Sequence, residues 1–519
     1  MTWPGLNTGR GRPEHVMTNQ TNTPGLHDKV AKGSLFLLFN RLAIKSMDVV
    51  ILMVLTRLLM PADFGRVAIA LSTIQIIETV LDLQTGIALL QINPITRAHL
   101  DTAFTIALLR GLAIMVLMVL ASVPLARFYR DDHLVALICA LSVVPLLRSA
   151  RSPRMFHFFK TLRFGPEATA DLVGKIAALV LSVSIGVITH SYWAIAAGAI
   201  AAPLFTSLFS YALCPYWPGF TLQHRPLFYR YMGWGLAGQL CSALNWQTDR
   251  FVLGKMVTDE ALGLFTTARD FAGTAFKIVM DTLMRPVLAG LSATNGEPER
   301  MIRAYGKVLS ATMAIALPVG LGQALLAPEI VAVLLGPRWG AAAPIFALVS
   351  LAMILAFFSS VTSNLFYAMG RPDLVFQRNF LDLLFRFPAT ILGIAMMGLQ
   401  GAVYALIAAE VLLAVICQLS VRRLLGLSLP WVIARIWRSL VSGAAMALVL
   451  WLALPLFPHA PGVLPALLTM LALVPLGAAT YGGVHLIAWA LNGNPEGIEG
   501  QAITFVTQRL TRSRTPASI

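Results

Sequence analysis

Apolar runs long enough to cross a bilayer recur along almost the whole chain, and no other feature restricts its fold so severely. A hydrocarbon core of about 30 Å takes about 20 residues at 1.5 Å rise each. Without water in that layer the backbone must satisfy its own hydrogen bonds, which leaves α-helices or a closed β-barrel. Barrel strands would alternate apolar and polar residues. Stretches such as Gly111–Ala126 and Leu440–Leu454 are apolar on every face, so the spans are helical. The sequence therefore describes an all-α polytopic membrane protein of about fourteen transmembrane helices. They fall at roughly 33–56, 64–91, 101–126, 133–152, 166–189, 191–213, 229–256, 260–289, 301–327, 340–369, 373–398, 400–424, 432–455 and 463–490. Turn-forming pairs close them: Met60-Pro61, Gly165-Pro166, Cys214-Pro215, Gly336-Pro337, Arg371-Pro372 and Leu429-Pro430.

Orientation follows from the basic residues. With a cytoplasmic N-terminus, both tails, the loops after even-numbered spans and the adjoining span ends hold about 22 Lys and Arg, against about 6 opposite. That asymmetry is the positive-inside signature, and the cluster Arg148, Arg151, Arg154, Lys160 and Arg163 dominates it. The net charge of +15 thus points to anionic headgroups, not to nucleic acid. Residues 1–32 and 492–519 read as cytoplasmic tails, with Met17 an alternative start and no cleavable signal evident. Trp193, Trp217, Trp339, Trp431 and Trp437 lie at span ends and read as an interfacial belt.

Several activities are disfavoured. No loop between spans exceeds roughly 15–20 residues, which weakens a membrane glycosyl-transfer enzyme, and no G-x-x-x-x-G-K is present for ATP hydrolysis. Cys139, Cys214, Cys241 and Cys417 have no paired spacing, and the histidines do not cluster, so neither a metal site nor a cofactor is expected.

The first half recurs in the second. Leu55-Thr-Arg57-Leu-Leu-Met-Pro-Ala-Asp-Phe-Gly65 aligns with Leu253-Gly-Lys255-Met-Val-Thr-Asp-Glu-Ala-Leu-Gly263: a cation, apolar residues, an acidic turn and a glycine. Phe158–Phe164 and Phe366–Pro372 give a weaker echo. An offset of about 200 residues is six spans, so the halves run in the same direction, an arrangement that places transport sites between them.

Only 12% of the residues are charged, about half a soluble protein's share, so charges inside spans are informative. Arg41, Lys45 and Asp48 share a face of span 1; Gln75, Glu78, Asp82 and Thr85 line span 2. Gln239, Ser242, Asn245 and Asp249 line span 7 beside Arg250, and Asp270, Thr274, Lys277, Asp281 and Arg285 line span 8. Arg110 in span 3 is the main charge outside this group. Facing lipid, seven or eight such charges would cost on the order of 20 kcal/mol, so they face a polar cavity or one another. Asp171 and Lys175 read as an intrahelical pair, while Arg378, Asp382 and Arg386 either anchor span 11 or join the cavity. Glu410 is either a coupling site or a shallow interfacial carboxylate.

The run from Leu55 through Gly65 and on through Leu81-Asp82-Leu83-Gln84-Thr-Gly86 to Gln91 resembles the opening of bacterial polysaccharide-unit flippases. These belong to the multidrug/oligosaccharidyl-lipid/polysaccharide exporter superfamily. Phe128-Tyr-Arg-Asp131, Asp249-Arg250, Leu262-Gly-Leu-Phe265, Leu334-Leu-Gly-Pro-Arg-Trp339 and Ala368-Met-Gly-Arg-Pro372 resemble further landmarks, in order, across most of residues 33–425. The resemblance implies two six-helix lobes, 33–213 and 214–424, around a central cavity formed by spans 1, 2, 7 and 8, with two additional helices over 425–491. It implies translocation of an undecaprenyl-diphosphate-linked oligosaccharide across the inner membrane by ion-driven alternating access. Membrane lipids, a polysaccharide polymerase and export proteins would be partners. Arg41, Lys45, Arg110, Arg250 and Lys277 would then be the substrate-binding cations. Asp48, Glu78, Asp82, Asp249, Asp270 and Asp281 would be the cavity or coupling carboxylates. A drug or metabolite exporter of the same superfamily is the main alternative.

Overall fold

The computed structural model describes residues 43–81, 96–160, 165–226, 235–292, 297–457 and 462–493. The expected beginnings of spans 1 and 7 and residues 82–91 lie outside them. Every described regular element is helical.

Helix α1 runs over residues 43–58 and, after a tight turn, α2 covers Pro61–Val80. Pro61 at the first helical position has no N–H to leave unbonded. Helix α3 is Arg97–Tyr129, ended by Arg130 in the left-handed conformation. Span 4 is divided into α4 (His133–Leu141) and α5 (Val143–Ser149). Pro145 supplies no N–H to the Leu141 carbonyl, which interrupts the helix there. The short α6 (Met155–Lys160) leads into α7 (Gly165–Thr189) and α8 (Trp193–Leu213), which pack along each other.

The second half opens with α9 (Gly235–Met256) and α10 (Asp259–Ser292). Helix α11 (Pro298–Leu325) is followed by a short helix absent from the sequence reading, α12 (Ala327–Leu334), and then by α13 (Ala343–Ala368). Helix α14 (Pro372–Leu425) holds two spans, divided at Gly398 where φ is +59°. Helices α15 (Leu429–Ala453) and α16 (Val463–Leu491) pack on each other and against α11 and α12. Among the described residues, eight segments are long and apolar enough to cross a membrane by length and composition alone. Helices α2, α9 and α10, equally long, are not among them because they carry the charges.

The two halves meet through α2, which packs on both α9 and α10. The repeated glycines create this contact. A Cβ on Gly65 would fall 2.0 Å from the Asp259 carbonyl oxygen, and a Cβ on Gly263 would fall 1.8 Å from that of Pro61. Residues 61 and 65 thus meet 259 and 263 reciprocally, as an approximate two-fold axis requires, and only a missing side chain permits it. A single apolar core crosses the junction, drawing Leu55, Phe64, Leu253, Phe265, Trp339 and Phe346 from both halves.

Candidate functional site

The repeated cations flank that contact. Arg57, ending α1, donates from Nη2 to the Val333 carbonyl at the end of α12 (3.1 Å). Its counterpart Lys255, ending α9, donates to the Phe128 carbonyl near the end of α3 and lies 4.5 Å from the Phe128 ring centre. Each half therefore places a cation on the carbonyl end of the other half's helix, where the macrodipole is negative. Arg66 bonds Asp131 (3.0 Å) in its own half and Asp259 (3.1 Å) in the other. Trp339, which the sequence assigns to the interfacial belt, is instead fully buried, edge-on to Phe64, with Nε1 donating to the Thr56 carbonyl (2.9 Å). This end of the molecule is closed.

Toward the other end, a cavity of about 770 Å³ opens in the first half. It is lined by Asp48 of α1, Gln75 and Glu78 of α2, Arg148 and Arg151 beside the end of α5, Asp171 and Lys175 of α7, and Arg250 of α9. Lys175 does not pair with Asp171 one turn away. It reaches Asp48 (2.5 Å), which Lys45 also approaches at 3.7 Å. Asp171 pairs with Arg151 (3.4 Å), and Arg148 with Glu78 (2.7 Å). Arg110 enters from α3 to donate to the Glu78 carbonyl (3.1 Å). The Asp48, Lys45 and Lys175 side chains are each about one-third exposed, so the cavity charges stay in contact with solvent.

The second half uses its charges differently. Asp249, expected to line the cavity, is wholly buried (0% exposed) and held by Arg269 of α10 at 2.5 Å. Arg386 lies between Asp382 (3.1 Å) and Glu410 (2.9 Å), all three buried. Glu410 is thus a buried ion-pair partner of Arg386 and not a shallow interfacial carboxylate. Arg378 donates to the Ser363 hydroxyl and to the Ser359 carbonyl (3.3 Å). Asn245 donates to the Asn379 carbonyl (2.7 Å), tying α9 to α14. Arg250 and Asp270 pair at 2.5 Å at the border of the two regions.

Of the expected site residues, the structure brings Lys45, Asp48, Glu78, Arg110 and Arg250 to the open cavity or its wall. Asp270 joins it only through Arg250. Lys277 is exposed on α10 and is not part of the cavity lining. Arg41, Asp82 and the side chain of Asp281 lie outside the described residues. Sequence reasoning missed Arg148, Arg151, Asp171 and Lys175 as cavity residues, and Arg269 altogether. One signal was available: Asp249-Arg250 and Arg269-Asp270 are complementary dipeptides 20 residues apart on consecutive helices, and both cross pairs form.

The segment after α8 is strapped to the first half. Asp101 accepts from the Tyr216 hydroxyl (2.7 Å) and the Gly219 N–H (2.8 Å), and Thr105 from the Thr221 N–H (3.2 Å). Burial and the Asp101 carboxylate push the Tyr216 phenol up to about 12.

Residues 54–344 match the model of a family described as polysaccharide biosynthesis protein. The teichuronic acid biosynthesis protein TuaB of Bacillus subtilis is 23% identical over 308 residues, 58% of this chain and 63% of that protein. The lipopolysaccharide biosynthesis protein WzxC of Escherichia coli is 22% identical over 421 residues, 79% of this chain and 85% of that one. In fold, the chain is similar to the lipid II flippase MurJ in an inward closed conformation (TM-score 0.68, 13% identity), covering 88% of this chain and 99% of that one.

Proposed function

The chain belongs to the polysaccharide biosynthesis protein family, and from that premise we propose that it flips a lipid-linked oligosaccharide unit across the inner membrane. The lipid is undecaprenyl diphosphate, and the product feeds exopolysaccharide, capsule or O-antigen assembly. The chain acts as a transporter, with both termini cytoplasmic and the lobes at 33–213 and 214–424. The observation that carries this reading is the cavity of about 770 Å³, open at one end and lined by Arg148, Arg151, Lys175 and Arg250. A large anion needs such a lining.

The mechanism is exchange of ion-pair partners. Partly exposed pairs such as Lys175–Asp48 and Arg148–Glu78 contribute only about 0.2–1 kcal/mol each. A diphosphate therefore replaces the carboxylates at little cost, and the displaced Asp48 takes up a coupling proton or cation. Because the contacts at Gly65, Gly263, Arg57, Lys255 and Arg66 lie at the end away from the basic loops, this state faces the cytoplasm. Alternating access then requires their rupture.

Deleting the gene and analysing lipid-linked intermediates tests the reading. Complete repeat units should accumulate on the cytoplasmic leaflet while surface glycan falls. Unchanged intermediates with normal surface glycan would sink it, and resistance to soluble drugs on expression would favour the exporter instead.

A further inference from the structure

A second cavity, of about 640 Å³, lies on the outer flank of the junction between α2 and the α9–α14 pair. Its lining is almost wholly apolar: Ile76 of α2, Leu244 and Phe251 of α9, and Phe380, Leu384 and Phe387 of α14. Leu384 is 63% exposed and Phe387 49%, so the groove opens toward the hydrocarbon layer.

Three observations distinguish this groove from an ordinary lipid-facing surface. It is back to back with the charged cavity. Gln75 lines the charged cavity and Ile76 the groove, just as Arg250 lines the cavity and Phe251 the groove. Two consecutive residues on each of two helices therefore face opposite chemical environments. The groove also contains a buried amide, Gln247, 6% exposed, whose Oε1 has no hydrogen-bond partner. Leaving such a group unsatisfied in an apolar site is costly, so its retention needs an explanation. Finally, Gln247 is three residues from Arg250, about 4.5 Å along α9, and the Arg250 Nε is likewise buried without a partner.

Resting on the flippase reading, we infer that this groove receives the polyprenyl chain of the substrate while its phosphates enter the charged cavity. The amphiphile straddles the α2–α9 seam. Its phosphates meet Arg250, the phosphate–isoprenoid junction meets the Gln247 amide, and the methyl-branched chain lies among Phe251, Phe380 and Phe387. The amide offers an acceptor and, turned about its last torsion, two donors. An acyl lipid whose headgroup stays at the interface satisfies neither Gln247 nor Arg250.

The test measures binding of undecaprenyl phosphate to the full chain in nanodiscs containing phosphatidylglycerol. Leu384→Trp fills the groove from its lipid-exposed side, so folding is preserved, which a melting curve checks. Leu120→Trp, on the exposed face of α3 (68% exposed), is the size-matched control. Leu384→Trp should weaken binding about tenfold or more and Gln247→Leu severalfold, with the control unchanged. A photoreactive benzoylphenylalanine in place of Leu384 should capture undecaprenyl phosphate ahead of phosphatidylglycerol. Equal binding by wild type and Leu384→Trp overturns the groove and leaves the flippase reading standing. Capture of phosphatidylglycerol undiminished by undecaprenyl phosphate reduces the groove to a site for ordinary lipid and also overturns the inference. No binding of undecaprenyl phosphate by the wild type removes both.

Discussion

Both lobes carry a cluster of ionisable side chains on their helices, yet the cluster in the first lines an open cavity and the cluster in the second is buried. In the first lobe, Asp48, Glu78, Arg148, Arg151 and Lys175 surround open space and pair across it. In the second, Asp249, Arg269, Asp382, Arg386 and Glu410 are buried and bonded to one another. The same ingredients thus serve opposite purposes. A hydrated ion pair has little net strength, so a ligand can compete for its members. A buried pair is costly to break because the partner left behind stays desolvated. The first lobe is built to exchange partners, the second to hold its helices together.

That contrast can be broken in three ways. The largest effect belongs to Arg386→Met, which strands Asp382 and Glu410 in the second lobe. A loss of about 3–5 kcal/mol is expected, read as a drop in thermal midpoint and in protein level. If the variant melts like wild type, the second lobe's network is not structural. An intermediate effect belongs to the reciprocal cations. Arg57→Gln and Lys255→Gln each remove a charged hydrogen bond between lobes, about 1.5–3 kcal/mol at most. Each should raise labelling of a cysteine placed beside Gly65, and the double variant should raise it further; unchanged labelling would show that apolar packing alone holds that end closed. The smallest effect on stability, under about 1 kcal/mol, is expected for Lys175→Gln. Its export of lipid-linked units should nevertheless fall about tenfold or more. If stability and export fell together, the first lobe's pairs would be structural too.

The spans could be read from the chain because the bilayer leaves so few options, and the punctuating prolines and Gly398 lie where helices begin or break. The clustering of charge in α1, α2, α9 and α10 was legible for the same reason: in long apolar runs each exception is conspicuous. Arg148 and Arg151 were not, since a basic residue near a span end looks the same in sequence whether it reaches a headgroup or turns inward. Lys175 was misassigned because helical spacing shows that Asp171 is reachable, not that Asp48 across the cavity is nearer. Arg269 escaped because its stripe was counted from Asp270, one residue along and on another flank of α10.

By itself, the sequence determined the helical, many-span architecture, its repeat and the residues at which the halves correspond. These follow from local rules: hydrogen bonding without water, turn chemistry and the spacing of a few charges. Only the tertiary structure decided which charge is hydrated and which is buried, that Gly65 and Gly263 meet, and that Gln75 and Ile76 face different cavities. The reason is that a charge's role depends on its dielectric surroundings and partners, and residues hundreds of positions apart supply both.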